Sequence, residues 1–146
     1  MKRDLPAVVL DTNVFVAAGF NPDSASDRII SAVRHGSLRM IWNDETRKET
    51  RSILEKIPPL SWTAVADLFR NEERLDAETR PERFTQIPDP DDRKFAALAH
   101  ASGAILISQD TDLLATPHRI DLLVVTPGEF LSGQWATPWW NGRTPR

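Results

Sequence analysis

Short continuous apolar runs alternate along this chain with stretches whose apolar residues recur every three or four positions. Ala7–Leu10, Leu38–Trp42, Ala104–Ser108 and Leu122–Val125 are runs of the first kind, the pattern of strands buried on both faces. Ser24 or Ser26 caps a helix reaching to about Arg34, with Ile29, Ile30 and Val33 on one face and Gly36 as its stop. Asn43 or Asp44 caps a second helix, in which Glu49, Ile53 and Ile57 fall at helical spacing before Pro58 and Pro59 end it. Ser61 opens a third, from Trp62 to about Phe69. Residues 71–90 read as a charged, proline-punctuated loop with one strand at Arg83–Gln86. Asp91 or Asp92 begins a helix with Phe95, Leu98 and Ala99 as its apolar face, stopped at Gly103. Leu113–Ala115 gives one helical turn, and Pro127–Leu131 a short last helix. Buried strands alternating with helices predict an α/β fold: a central parallel sheet with helices on both faces, in three layers.

Composition narrows the chemistry. The 146 residues suit one domain, and 40% apolar with 27% charged residues is ordinary for a globular protein. There is no Cys, so disulfides, thiol chemistry and Cys-based zinc sites are excluded, and a cytoplasmic location is expected. The basic start MKRDLPAVVLD lacks the apolar run of a signal peptide, and no stretch approaches the ~20 apolar residues of a membrane span. A net charge of −3 argues weakly against binding nucleic acid by bulk electrostatics. Acids clustered around a metal would produce the same balance and leave basic residues to line a groove.

The acids are placed where chemistry is done. Asp11 follows Val8-Val9-Leu10 directly, and Asp110 follows the strand Ile105-Leu106-Ile107-Ser108, with Asp112 close behind. In a parallel sheet both strands end on one edge, the edge where ligands bind in doubly wound folds. Asp92 sits at a helix start leaving the same region, and Glu49 lies about one turn into the helix after the second strand. Taken singly, Asp44, Asp91 and Asp92 also read as N-caps, Glu49 as a solvated helix residue, and Asp110 and Asp112 as turn formers. Taken together, carboxylates on one rim repel each other, and a hard divalent cation is the usual remedy. Oxygen ligands without Cys or His suit Mg²⁺ or Mn²⁺ better than Zn²⁺. His35, His100 and His118 lie in unrelated settings.

The stretches "VVLDTNVFV", "ETRKETRSIL", "DPDDRKFAALAHASGAILISQDTDLL" and "VVTPGEFL" occur in this order over about residues 7–131, and together the chain resembles a PIN-domain protein. The likeness is to the bacterial and archaeal branch of toxin components of toxin–antitoxin pairs, related to VapC-type ribonucleases. The resemblance implies a PIN-like (5′-nuclease-like) fold and metal-dependent hydrolysis of RNA phosphodiester bonds. It matches the family's acids to Asp11, Glu49, Asp92 and Asp110, with Asp112 as an accessory acid. Asn13 takes the supporting polar position and Ser108 the small hydroxyl position; Gln109 stands where Gly or a charged residue is common. It further implies that these acids hold Mg²⁺ or Mn²⁺, which would generate a hydroxide nucleophile and neutralise charge on the phosphorane-like transition state. Asp11, Asp92 and Asp110 would be the ligands, and Glu49 would position water or a second ion. Thr12 and Asn13 would orient Asp11 or touch phosphate, and Ser108 would support the ligands by hydrogen bonding. Arg47, Lys48, Arg51 and Arg93 are candidates for gripping an RNA substrate, and a cognate antitoxin protein and a homodimer are the expected partners.

Two other readings stay open at this stage. A Mg²⁺-dependent phosphatase also uses a strand-end Asp, but expects a second acid where Asn13 stands and a Lys after a later strand, and no Lys follows Lys94. A catalytically weak module that binds RNA or an antitoxin is the other. As a domain division, residues 1–131 form the PIN domain and 132–146 a tail with Trp135, Trp139 and Trp140. Those indoles would pack back on the domain or on a second copy or partner.

Overall fold

A computed structural model describes residues 5–115 and 122–133. Trp135, Trp139 and Trp140 of the tail lie outside the described residues. The strands are β1 (Ala7–Leu10), β2 (Arg39–Met40), β3 (Ile105–Ile107) and β4 (Val124–Val125), all parallel in the order β2-β1-β3-β4. The α-helices are α1 (Thr12–Phe20), α2 (Ala25–Arg34), α3 (Asp44–Glu55), α4 (Pro90–Ser102), α5 (Thr111–Leu114) and α6 (Pro127–Ser132). This is the expected sheet between helical layers.

The period of two in the strands builds a separate core on each face. Val8 and Leu10 of β1, with Ile105 and Ile107 of β3, pack against Val14 and Phe15 of α1 and Ile29, Ile30 and Val33 of α2. Val9 and Leu106 point the other way, onto Phe95, Leu98 and Ala99 of α4. Burying a Val, Leu or Ile of this kind is worth about 1.5–3 kcal/mol each, so the two central strands anchor the domain.

Several elements differ from the sequence reading. The helix α1 was not expected at all. TNVFVAAGF has no polar face to reveal a helical period, because the helix is covered by α2 and α3. Residues 62–69 form two 3₁₀ turns, Trp62–Ala64 and Ala66–Leu68, rather than an α-helix. Ser61 supplies no capping bond to the backbone; its hydroxyl pairs with that of Thr63 at 2.6 Å. The strand expected at Arg83–Gln86 is instead a 3₁₀ turn at Pro81–Arg83, where proline favours a turn start. Beyond it, Phe84 and Ile87 drop into the core under α4, three residues apart rather than alternating.

Helix starts are resolved by their caps. Ser24 caps α2 and Asn43 caps α3, the latter through a reciprocal box with Thr46. The cap of α4 is Asp89, which accepts from the Asp91 N–H, with Pro90 in the first helical position. Neither Asp91 nor Asp92 caps that helix, contrary to the sequence reading. The same first turn therefore leaves the Asp92 side chain available for another purpose. Gly103 ends α4 with φ of 74°, the left-handed conformation a glycine adopts without steric cost. Among the described residues, no helix is long and apolar enough to cross a membrane.

Candidate metal centre

The chain runs from β1 to β2 on one side and places β3 and β4 on the other, so the strand order switches between β1 and β3. The carboxyl ends of those two strands open the crevice in which parallel sheets bind ligands. The Asp11 N–H continues the ladder by donating to the Ile107 carbonyl at 3.0 Å. Asp11 and the residues after Ile107 are thereby locked side by side.

Each acid in this crevice is fixed differently. Asp11 is 4% exposed and caps α1. Its Oδ1 accepts from the Thr12 N–H at 2.8 Å and its Oδ2 from the Ser108 hydroxyl at 2.8 Å. Ser108 Oγ, fully buried, also accepts from the Asp110 N–H at 2.9 Å, so one hydroxyl ties both acids together. Asp110 caps α5, its Oδ1 accepting from the Asp112 N–H at 2.8 Å. Asp92, in the first turn of α4, presents a buried Oδ2 with no hydrogen-bond partner. One carboxylate oxygen from each of Asp11, Asp92 and Asp110 lies within 4.8 Å of the others.

The electrostatics are those of acids forced together. Burial pushes the Asp11 carboxyl up to about 6, against the opposing hydrogen bonds from Ser108 and Thr12; Asp110 and Glu49 add repulsion. Asp92 is pushed up to about 8, first by burial, then by hydrogen bonding with Asp110 and by the charges of Asp11, Asp110 and Asp89. A buried carboxylate oxygen without a partner costs on the order of 1–3 kcal/mol or more. A divalent cation would remove both that cost and the repulsion. Only hard oxygen donors are offered, which fits Mg²⁺ or Mn²⁺.

The remaining sequence candidates fall around this triad. Glu49 lines the same cleft from α3, but its Oε1 accepts from Lys94 Nζ at 3.0 Å, and it is not one of the three converging acids. Asp112 stands on α5 and lends its N–H to Asp110. Asn13 Oδ1 accepts from the Gln109 N–H at 3.4 Å, bracing α1 against the segment after β3. The Thr12 and Thr50 hydroxyls meet at 3.0 Å and tie α1 to α3. Three of the four residues named for RNA grip are engaged elsewhere. Arg47 lies over the Trp42 and Trp62 rings, Arg51 over Trp62 and paired to Glu55, and Arg93 donates to the Ile87 carbonyl. Lys48 is exposed. Sequence reasoning passed over Lys94; its partner on α3 lies 45 residues away, and only its position two places after Asp92 hinted at its place.

Known proteins resemble this chain in sequence or fold to different degrees. The sequence matches the PIN domain family over residues 7–112. It is 26% identical over 137 residues to the uncharacterized protein MJ1680 of Methanocaldococcus jannaschii, covering 85% of this chain and 88% of the relative. The fold is similar to that in the structure of FitAB bound to the IR36 DNA fragment, with a TM-score of 0.54 at 16% identity, over 82% of this chain and 94% of the other. The family match takes in Asp11, Glu49, Asp92, Asp110 and Asp112 and most of the chain, which belongs to the PIN-domain family.

Proposed function

We propose that this protein is a metal-dependent ribonuclease whose centre is Asp11, Asp92 and Asp110. The observation that carries the reading is the convergence of three carboxylate oxygens within 4.8 Å, with the Asp92 Oδ2 buried and unpartnered. Family membership supports a nuclease; the RNA substrate and Mg²⁺ or Mn²⁺ as the ion are the finer parts of the proposal. A phosphatase is less well supported, because the position two residues after Asp11 carries Asn13, whose amide oxygen is used to brace the Gln109 backbone.

In this reading each residue has a defined task. Ser108 and the Thr12 N–H hold Asp11 in a fixed rotamer, so its charge is aimed before any ion arrives. Ser108 also fixes the Asp110 backbone, which sets the distance between two ligands from adjacent strands. Asp92 closes the triad from the opposite helix. Asp112 acts through Asp110 at the rim. When bound, a divalent ion supplies Lewis acidity toward water and phosphate. Hydrolysis would join a water oxygen to phosphorus and break the bond from phosphorus to the leaving oxygen of the RNA chain, with the proton lost by the water balanced by one taken up by that oxygen.

The toxin role, with a protein antitoxin as partner, is part of the same proposal. Its support is the likeness of the sequence to that branch, together with the fold shared with FitAB, a protein solved on DNA.

The test is hydrolysis of a mixed RNA pool by the purified full chain. Cleavage is expected in Mg²⁺ or Mn²⁺, abolished by EDTA and restored by excess Mn²⁺. Cleavage undiminished by the chelator would refute the mechanism.

A further inference from the structure

Lys94 Nζ lies 3.0 Å from Glu49 Oε1 and 3.9 Å from Asp91 Oδ1, and the Lys94 and Glu49 side chains are each 22% exposed. Among the described ion pairs, these are the ones that reach carboxylates lining the cleft at Asp11 and Asp92. An ammonium carries three donors. Glu49 takes one, and Asp91 stands beyond hydrogen-bond distance. The bridge from α3 to α4 thus fixes a long side chain beside two carboxylates that line the cleft while leaving it donors to give. Holding the stem in place beforehand also removes much of the entropy loss that a lysine incurs on binding a ligand.

A bland role competes with this: Lys94 would be a counterion that neutralises Glu49 and pins two helices. The two roles differ in what the cleft lacks. Three acids attract a cation but repel the phosphate that must approach it, and the contacts that Arg47, Arg51 and Arg93 make are with Trp42, Trp62, Glu55 and the Ile87 carbonyl, none of which lines the cleft. We propose that Lys94 contacts the substrate, its ammonium donating to a non-bridging oxygen of the RNA phosphodiester, and that Glu49 is the residue positioning it. This rests on the nuclease reading of the triad.

The experiment uses the full-length chain in two stages. Mn²⁺ binding is measured first by calorimetry for wild type, Lys94→Gln, Lys94→Arg and the double variant Glu49→Gln/Lys94→Gln. Binding of a fluorescent, random-sequence, short single-stranded RNA pool is then followed by anisotropy in Ca²⁺ over a range of salt. Lys94→Gln should weaken RNA binding about tenfold and lower the slope of log affinity against log salt by roughly 0.7, as loss of one phosphate contact requires. Its Mn²⁺ affinity should stay within about threefold of wild type, since the triad is intact. Lys94→Arg should recover most of the RNA affinity, and the double variant should bind RNA as weakly as Lys94→Gln. A double variant restored to wild-type RNA affinity would show that Lys94 only neutralises Glu49, overturning the proposal. Unchanged RNA affinity or salt slope in Lys94→Gln would overturn it too. A wild-type chain that binds no Mn²⁺ would refute the nuclease reading itself, and this inference with it.

Discussion

Asp92→Asn is expected to lower RNA hydrolysis by roughly 10³-fold in saturating Mn²⁺, the scale of losing one well-placed electrostatic group at a reacting phosphate. The amide keeps the shape of the side chain but removes the negative charge. At pH 8.5 in the absence of metal, where Asp92 is ionised, the same variant should be more stable than wild type, because Asp92 is repelled by Asp11, Asp110 and Asp89. Loss of activity with gain of stability separates a ligand from a residue that merely supports the fold. Asp91→Asn is the control. Its side chain is 71% exposed and its distance to Lys94 is 3.9 Å, so its rate should stay within about threefold of wild type. Equal losses at the two positions would mean that "DPDD" has been read in the wrong register.

The second large effect is a reversal of pH dependence by metal. Asp11 and Asp92 hold their protons more tightly in the folded chain, up to about 6 and about 8, than at their ordinary value of 3.8. The stability this contributes is full below about pH 4 and is lost as pH rises through 6 and then 8. Solvent at the cleft mouth screens part of the effect, leaving on the order of 1–3 kcal/mol and a fall in Tm of roughly 5–10 °C between pH 5 and pH 8.5 in EDTA. Excess Mn²⁺ should reverse the trend, because deprotonated carboxylates bind the ion and binding stabilises the folded state. Thermal melts of wild type and Asp92→Asn at both pH values, with and without Mn²⁺, test this. A wild-type profile in EDTA that is flat, or that rises with pH, would contradict the acidic repulsion described above.

Much of the architecture could be read before any coordinates. Val8-Val9-Leu10 and Ile105-Leu106-Ile107 are apolar on both faces, which only a covered parallel sheet accommodates, and their order in the chain places Asp11 and Asp110 on one edge. The helix α1 escaped notice for the same reason that it is stable. Its Val14 and Phe15 are buried and its neighbours half-covered, so no polar stripe betrays the period. Trp62–Phe69 erred in the opposite direction: apolar spacing suggested a helix, but Ser61 spends its hydroxyl on Thr63. The site was legible to a similar depth. Spacing and family likeness chose Asp92 over its neighbours, and the structure finds Asp89 in the capping role. What spacing could not show is pairing across distant elements, such as Glu49 with Lys94 or Ser108 with Asp11. The first depends on how α3 and α4 pack and the second on the pairing of β1 with β3, and no local pattern encodes either.

Asp11, Asp92 and Asp110 together are proposed to form a divalent-cation site. Calorimetric titration of Mn²⁺ into the full-length chain at pH 7, compared with Asp11→Asn and Asp92→Asn, tests it without any knowledge of the RNA target. Saturable binding to wild type is expected, with proton release from the raised carboxyls and affinity at least about tenfold weaker in each variant. Binding that is absent from wild type, or unchanged when either acid is replaced, would contradict it.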